Sequence, residues 1–312
     1  MAPTPSRIGL VLAVALATLA AAVPAHATFP GRNGAIAYLH SSSSGDPGPI
    51  LDTRGLYAAL PRVQDPLKLI DCQLTDGVPS GGNCICTRFA SPSYSADGRR
   101  IVFDTGAQLA VVGANGFNPT LLPGVTADDG DPAFAPDGKR IAFTGTNDRG
   151  TTDVYIRRLD GGPARVLVSD ASAPAWSSRN RIAYVRVGNI YSVDPSGRQR
   201  RFVTSGVSPD WSPNGRRLVL VRPLPRLTFP IDLGHIVVVD ANGHGLRRIR
   251  AGDDLSHPVW SPDGKWIAFE GFESGVHKRR LAGRPRQSEV APSQIGSEGG
   301  FIASYNPTWQ PR

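Results

Sequence analysis

One short motif recurs five times along the chain, and this repeat constrains the fold more than any other feature. Each copy joins a proline, an aromatic residue, a turn of the Pro-Asp-Gly type and an apolar run. Successive motif prolines lie 40, 42, 35 and 49 residues apart. Such periods are typical of four-stranded propeller blades. The copies are SPSYSADGRRIVF (91–103), DPAFAPDGKRIAF (131–143), APAWSSRNRIAY (173–184, one residue shorter), SPDWSPNGRRLVL (208–220) and HPVWSPDGKWIAF (257–269).

The parts of the motif have separate structural roles in a blade. The aromatic residue lies on a short strand, where a large side chain fills the wedge between neighbouring blades. In the turn, Pro presets φ, Asp accepts from nearby amides and Gly adopts the left-handed conformation that closes a hairpin. The apolar run predicts a buried second strand, and two further strands follow before the next copy. We therefore assign a structural role to Trp176, Trp211, Trp260, Trp309, Asp97, Asp137 and Asp263.

The two ends of the chain hold complementary halves of a sixth copy. Residues 306–311 (NPTWQP) match the first half of the motif, and residues 31–38 (GRNGAIAY) match the second half. Pairing of the C-terminal strand with the N-terminal blade would remove two exposed sheet edges. The sequence therefore predicts an all-β, six-bladed β-propeller of four-stranded antiparallel blades, closed by this pairing.

The first 27 residues have the pattern of a secretory signal peptide. An apolar stretch covers residues 8–23, and residues 25–27 (AHA) have the small-x-small form that signal peptidase needs. We predict cleavage after Ala27, one propeller domain over residues 28–312, and an exported protein of the periplasm, cell envelope or extracellular space. The alternative is an uncleaved anchor, since the apolar run approaches the shortest spanning length. No other stretch of the sequence is long and apolar enough to span a bilayer.

The repeated unit P-x-W-S-P-D-G-x-x-I-A-F, complete at residues 258–269, resembles the WD-like β-propeller repeat of TolB-type periplasmic proteins. The propeller domains of prolyl-oligopeptidase-like peptidases carry a similar repeat. The resemblance covers residues 29–312 and implies a propeller, a fold that hosts unrelated functions. TolB itself has an additional N-terminal domain. Here the first strand motif begins within ten residues of the predicted cleavage site, so we expect that domain to be missing.

The innermost strands of a propeller line a central channel, so the residue before each motif proline should recur around one ring. We take this channel ring as the predicted binding surface. Asp131 and His257 are its ionisable members, and we expect them on opposite sides of the axis, too far apart to share one ion. The polar ring residues are Ser91, Asp131, Ser208, His257 and Asn306, and Ala173 takes the remaining position.

Two acidic pairs precede the innermost strands of two blades. Their position makes them candidate contacts for a cation or a basic peptide. Solvated loop acids are the more common outcome for such pairs and the interpretation that we favour. The pairs are Asp128 with Asp129, and Asp253 with Asp254.

Three cysteines, Cys72, Cys84 and Cys86, lie in an insertion at about residues 71–90. Export favours a disulfide from Cys72 to either Cys84 or Cys86, and one thiol is then left over. A zinc site is the rival interpretation, although no histidine lies nearby and C-x-C departs from the usual spacing.

No nucleophile elbow, Walker loop or H-E-x-x-H motif occurs in the sequence. We therefore predict a non-enzymatic, monomeric binding module that docks a protein or peptide at one face of the channel, with no metal or cofactor. The alternative is a propeller enzyme, lyase-like or hydrolase-like and in some forms metal-dependent, that acts on a saccharide or small molecule in the channel.

The net charge of +8 comes from basic residues that are scattered along the chain, a pattern that argues against nucleic-acid recognition. One basic run, residues 277–280 (HKRR) with Arg284 and Arg286, is a candidate contact for an anionic cell-wall polymer or lipid headgroups. A solvated face is the interpretation that we favour for this run.

Overall fold

The computed structural model describes most of the chain beyond the predicted signal peptide. Residues 1–27 lie outside the described part, so signal-peptide cleavage stays a prediction. The described ranges are 28–43, 51–60, 65–75, 78–80, 90–106, 108–122, 130–224, 234–271, 275–282, 287–291, 294–295 and 301–312.

The secondary structure of these ranges consists of strands joined by turns. In chain order the strands are β1 (Asn33–Ser43), β2 (Leu51–Ala59), β3 (Leu67–Thr75), β4 (Val78–Ser80), β5 (Ala90–Tyr94), β6 (Arg100–Asp104), β7 (Leu109–Gly113), β8 (Thr120–Leu121), β9 (Gly130–Phe134), β10 (Arg140–Thr146), β11 (Thr152–Arg158), β12 (Arg165–Val168), β13 (Ser172–Trp176), β14 (Ile182–Arg186), β15 (Asn189–Val193), β16 (Arg201–Ser205), β17 (Val207–Trp211), β18 (Arg217–Pro223), β19 (Gly234–Asp240), β20 (Arg247–Trp260), β21 (Trp266–Gly271), β22 (Gly275–Arg280), β23 (Gln287–Ala291), β24 (Gln294–Ile295) and β25 (Phe301–Pro311).

Antiparallel pairing joins these strands into the sheets of a propeller. Three sheets have four strands each, in the orders β5-β6-β7-β8, β12-β11-β10-β9 and β13-β14-β15-β16. A six-stranded sheet has the order β24-β25-β1-β2-β3-β4, and a seven-stranded sheet runs from β17 to β23. The all-β propeller with antiparallel blades, expected from the repeat, is confirmed.

The described strands form five sheets, one of them with seven strands, so the six predicted four-stranded blades do not appear as six separate sheets. The cause is β20, a continuous strand of 14 residues. Its first part pairs with β19, where Arg250 faces Ile236, and its last part pairs with β21, where Trp260 faces Ile267. One uninterrupted strand therefore joins two groups of strands into a single sheet.

The C-terminal strand lies beside the N-terminal one, as the split motif predicted. Strand β25 pairs antiparallel with β1, and Trp309 faces Ile36 across the pair. Both side chains are buried in one cluster with Val259 and Ala268. The two halves of the sixth motif copy, which lie at opposite ends of the sequence, therefore meet in one sheet.

The motif aromatics pack between neighbouring sheets. Trp176 and Trp211 are among the largest fully buried side chains. The Trp211 indole N–H donates to the carbonyl oxygen of Ala175 in the preceding sheet at 3.0 Å. At Trp211 the indole therefore joins two neighbouring sheets by packing and by a hydrogen bond together.

Candidate functional site

The residue before each motif proline has a left-handed backbone in every copy of the repeat. At all six positions φ lies between 47° and 52°, a region that residues other than glycine rarely adopt. A register shift accompanies this conformation in the pairing with the second strand. The six residues are Ser91, Asp131, Ala173, Ser208, His257 and Asn306.

Ala173 has the same backbone conformation as the five polar ring residues. The conformation is therefore a property of the repeat and does not require a polar side chain. What differs between blades is the side chain that the bulge carries. Ser91, Asp131, Ser208 and Asn306 are buried. His257 is partly exposed, with 15% of its side chain open to solvent. The chemistry of the ring therefore differs from one blade to the next, because each blade contributes its own side chain.

Asp131 is the centre of a buried hydrogen-bond chain that crosses three blades. The Ser91 hydroxyl donates to its Oδ1 at 3.1 Å, and the Thr144 hydroxyl donates to its Oδ2 at 3.1 Å. Thr144 Oγ1 in turn accepts the backbone N–H of Ala173 at 3.0 Å. Consecutive ring positions are thus tied together through one carboxyl group.

His257 and Glu270 form the second polar cluster of the ring. His257 Nδ1 lies 2.6 Å from Glu270 Oε2, and the Glu270 side chain is 16% exposed. The same oxygen accepts the backbone N–H of Asn306 at 3.4 Å. Glu270 therefore contacts the next ring position along the propeller, as Thr144 does with Ala173.

The sequence analysis missed three residues of this site: Asp104, Thr144 and Glu270. Each directly follows the last aromatic residue of a motif copy, one position beyond the repeated unit. Their side chains project beside the ring residues because strands one and two of a blade are paired there. Comparing the residue after each copy would have found them.

The electrostatics of the ring link Asp131 to groups on other blades. Burial raises the pKa of Asp131 to about 7, and hydrogen bonds from Ser91 and Thr144 oppose that rise. The negative charge of Asp104 raises the pKa of Asp131 further, whereas the charge of His257 lowers it. Asp131 and His257, which we expected on opposite sides of the axis, therefore interact electrostatically.

A raised pKa predicts a distinctive pH dependence of stability. Between the unfolded and folded pKa values of Asp131, the native state binds the extra proton, so stability falls as pH rises towards 7. We expect Asp131→Asn to remove a slope of about 1.4 kcal/mol per pH unit between pH 5 and 7. Urea unfolding of both proteins across this range measures the effect.

The matched control for this experiment is Asp160→Asn, because Asp160 is an exposed carboxylate paired with Arg158. This variant should keep the pH slope of the original protein. Equal slopes for the original protein and Asp131→Asn would contradict the assignment of a buried, protonated carboxyl group.

The turn aspartates cap the hairpins of their blades. Asp97 accepts the N–H of Arg99 at 3.1 Å, and Asp137 accepts that of Lys139 at 2.8 Å. Asp263 accepts the backbone N–H of Lys265 at 3.0 Å. These carboxylates therefore lie in the turns and not at the ring.

Several predicted residues fall where side chains are not described. Asp128, Asp129, Cys84, Cys86, Arg284 and Arg286 lie outside the described residues, and Asp253, Asp254 and Cys72 are described only as strand positions in β20 and β3. Residues 277–280 of the basic run lie on β22.

Within the described ranges, no group of three His, Cys, Asp or Glu side chains is arranged to hold a metal ion. Those ranges also contain no helix with the length and apolar character needed to traverse a bilayer.

No protein-family model matches the chain. An uncharacterized protein of Agrobacterium fabrum is 21% identical over 248 residues, which cover 72% of this chain and 81% of that protein. The uncharacterized peptidase YuxL of Bacillus subtilis is 40% identical over 144 residues, or 45% of this chain. The Tol-Pal system protein TolB of Rickettsia akari is 34% identical over 80 residues, or 25% of this chain. The last two matches span only 21% and 18% of those proteins.

Solved structures show the same architecture at low sequence identity. TolB from Acinetobacter baumannii superposes with a TM-score of 0.65 and 16% identity, over 89% of this chain and 67% of that one. A TolB-like protein from Agrobacterium tumefaciens superposes with a TM-score of 0.57 and 17% identity, over 89% of this chain and 99% of that one. An oligogalacturonate lyase in complex with manganese superposes with a TM-score of 0.51 and 13% identity, over 87% of this chain and 86% of that one. In its fold, the chain is therefore a β-propeller of the TolB type, as the repeat predicted.

Proposed function

We propose that this protein is an exported, non-enzymatic binding module that docks a protein or peptide at the channel ring. The observation that carries the proposal is the partly exposed pair of His257 and Glu270 on a ring whose backbone conformation is the same in every motif copy. A rigid repeated frame with side chains that differ between blades suits specific recognition.

The proposed propeller has six blades. We interpret the seven-stranded sheet as two blades that share β20, because its two parts pair with different neighbours. The pairing of β25 with β1 supports closure of the ring between the chain ends. Closure leaves few open sheet edges, which suits a monomer.

Export is proposed from the N-terminal sequence pattern. Residues 1–27 would be the signal peptide and residues 28–312 the mature propeller, located in the periplasm, cell envelope or extracellular space. Thr28 and Phe29, the first two residues after the proposed cleavage site, are buried in the propeller. Their burial supports a folded domain that begins at the cleavage site.

The chemistry of the ring favours a partner with hydrogen-bond donors or a positive charge. Glu270 and His257 are the partly exposed members, whereas Asp104 and Asp131 are buried carboxyl groups. A lysine or arginine side chain, or the free amine of a peptide, complements such a surface. We therefore propose a protein or peptide with an exposed basic end.

The test is a binding measurement on a partner captured by crosslinking from the exported fraction. We expect the double variant His257→Gln/Glu270→Gln, which changes the two partly exposed ring side chains, to bind that partner at least about tenfold more weakly, since central polar contacts dominate affinity. The matched control is Arg158→Gln/Asp160→Asn, which removes an exposed ion pair away from the ring. An unchanged dissociation constant for the ring variant would refute this docking surface.

The alternative is an enzyme that acts on a saccharide or small molecule in the channel. The manganese-bound oligogalacturonate lyase supports it through its similar fold alone. Elemental analysis of the mature protein distinguishes the two proposals. A stoichiometric divalent metal would favour the enzyme, and a protein that purifies without metal yet retains partner binding would favour the docking module.

A further inference from the structure

Thr28, the first residue after the proposed cleavage site, lies in a buried polar contact between two innermost strands. Only 2% of its surface is exposed. Its hydroxyl donates to Asp210 Oδ2 at 2.7 Å and lies 3.3 Å from the carbonyl oxygen of Trp260. Asp210 belongs to β17 and Trp260 ends β20, so Thr28 bridges these two strands.

Phe29 connects Thr28 to the core of neighbouring sheets. It is 2% exposed and belongs to the core cluster that contains Val102, Phe134 and Trp176. Those residues lie on β6, β9 and β13, whereas Thr28 contacts β17 and β20. The dipeptide therefore contacts one pair of strands through Thr28 and joins the core of other sheets through Phe29. Two residues further on, the Gly31 N–H donates to the carbonyl oxygen of Pro262, next to a hairpin turn.

Asp210 is a buried carboxyl group without a matching positive charge in the described part of the chain. None of its surface is exposed, and its Oδ1 has no hydrogen-bond partner there. The ion pairs of the described residues do not include it. Oδ2 accepts the backbone N–H of Trp260 at 2.7 Å. A carboxylate in such surroundings needs a counter-charge to stay ionised.

Burial raises the pKa of Asp210 well above its usual range, and several hydrogen bonds oppose that rise. One of them comes from the backbone nitrogen of Thr28 itself. In the full-length chain that nitrogen is a neutral amide. After cleavage of the preceding peptide bond, the same atom becomes a primary amine beside a buried carboxyl group.

We propose that Asp210 is a buried receptor for the α-ammonium group that processing after Ala27 creates on Thr28. A signal peptidase hydrolyses the Ala27–Thr28 bond with one water molecule. Ala27 then keeps a carboxylate, and the Thr28 amine takes up a proton and pairs with ionised Asp210. The inference rests on the proposed export and cleavage, but not on the proposed docking surface.

This ion pair links processing to stability. Before cleavage, Asp210 has only neutral donors, and the folded state bears the cost of a buried acid. After cleavage, the new charge compensates the carboxylate and fixes Thr28 and Phe29 at the centre of the propeller. The precursor is consequently less stable than the mature protein.

A double-mutant cycle tests the pairing. The mature chain that begins at Thr28 is compared with a chain that carries one extra N-terminal glycine, each with Asp210 and with Asp210→Asn. We expect the extension to lower the folding equilibrium constant by on the order of a hundredfold with Asp210 present. With Asp210→Asn the same extension should cost no more than about threefold. Equal losses in both backgrounds would assign the effect to crowding and overturn the proposal.

A second measurement does not depend on how well the variants fold. Reductive methylation of the folded mature protein, followed by mass spectrometry of the N-terminal peptide, reports how accessible the Thr28 amine is. We expect labelling at least about tenfold slower than in the urea-unfolded chain, because a buried ammonium neither loses its proton nor meets reagent. Equal labelling rates, or a mature chain that starts at another residue, would overturn the proposal, whatever the outcome of the partner-binding experiment.

Discussion

Removal of residues 305–312 should abolish cooperative folding of the propeller. The truncation deletes the half of β25 that contributes Trp309 to a buried cluster with Ile36, Val259 and Ala268. It also removes the partners of Asn33–Leu39 in β1, and this part of β1 then becomes an open sheet edge. Loss of one buried Trp alone costs about 3–5 kcal/mol, so the total should exceed about 5 kcal/mol, a large part of ordinary domain stability.

The measurement is thermal and urea unfolding of the truncated protein, followed by far-ultraviolet circular dichroism. A synthetic peptide of residues 305–312 provides the matched control, because it restores the missing part of the strand without a covalent link. Addition of the peptide should recover a cooperative transition in a concentration-dependent manner. A truncated chain that unfolds like the full protein would show that the C-terminal strand does not hold the ring together.

Replacement of Trp211 by Ala should have the largest effect of any single core substitution that we describe. The Trp211 side chain is 1% exposed and packs in a cluster with Leu218 and Val237. Its indole N–H also donates to the carbonyl oxygen of Ala175 at 3.0 Å. We expect Trp211→Ala to lower the free energy of unfolding by about 3–5 kcal/mol, from the cavity and the lost cross-sheet hydrogen bond.

Two further variants separate these causes. Trp211→Phe keeps an aromatic ring but leaves the Ala175 carbonyl without its donor, and should cost about 1–3 kcal/mol. Phe117→Ala is the exposed control, since 67% of Phe117 is open to solvent, and it should change stability by no more than about 0.5 kcal/mol. A Trp211→Ala effect as small as that of Phe117→Ala would contradict the assigned role of the motif aromatics.

The channel ring shows how far a repeat can lead towards a site. The position before each motif proline was identified from the sequence alone, and all six such residues share one backbone conformation. Their partners were not identified, because Glu270 lies beyond the repeated unit and its contact with Asn306 joins two different blades. A repeat defines what is common to the blades, whereas a site depends on where they differ.

The continuous strand β20 shows which part of the fold the motif predicted and which part it did not. The motif at residues 257–269 predicted the start of a new blade, and the aromatic and turn residues occupy the expected strand and hairpin. The sequence carried no signal that the preceding strand would run into it without a break. Whether two strands join depends on the pairing available on both sides, which is a property of the assembled sheet.

The amino-acid sequence by itself determined the propeller fold, the repeat boundaries and the ring position, because these follow from local features such as turn chemistry, strand alternation and period. Only the tertiary structure brought Thr28 to Asp210, a contact between residues 182 positions apart. It likewise decided that Asp131 would be buried with a raised pKa and that His257 would pair with Glu270. Burial and long-range pairing arise when the blades pack around one centre, and no segment of the chain encodes that geometry alone.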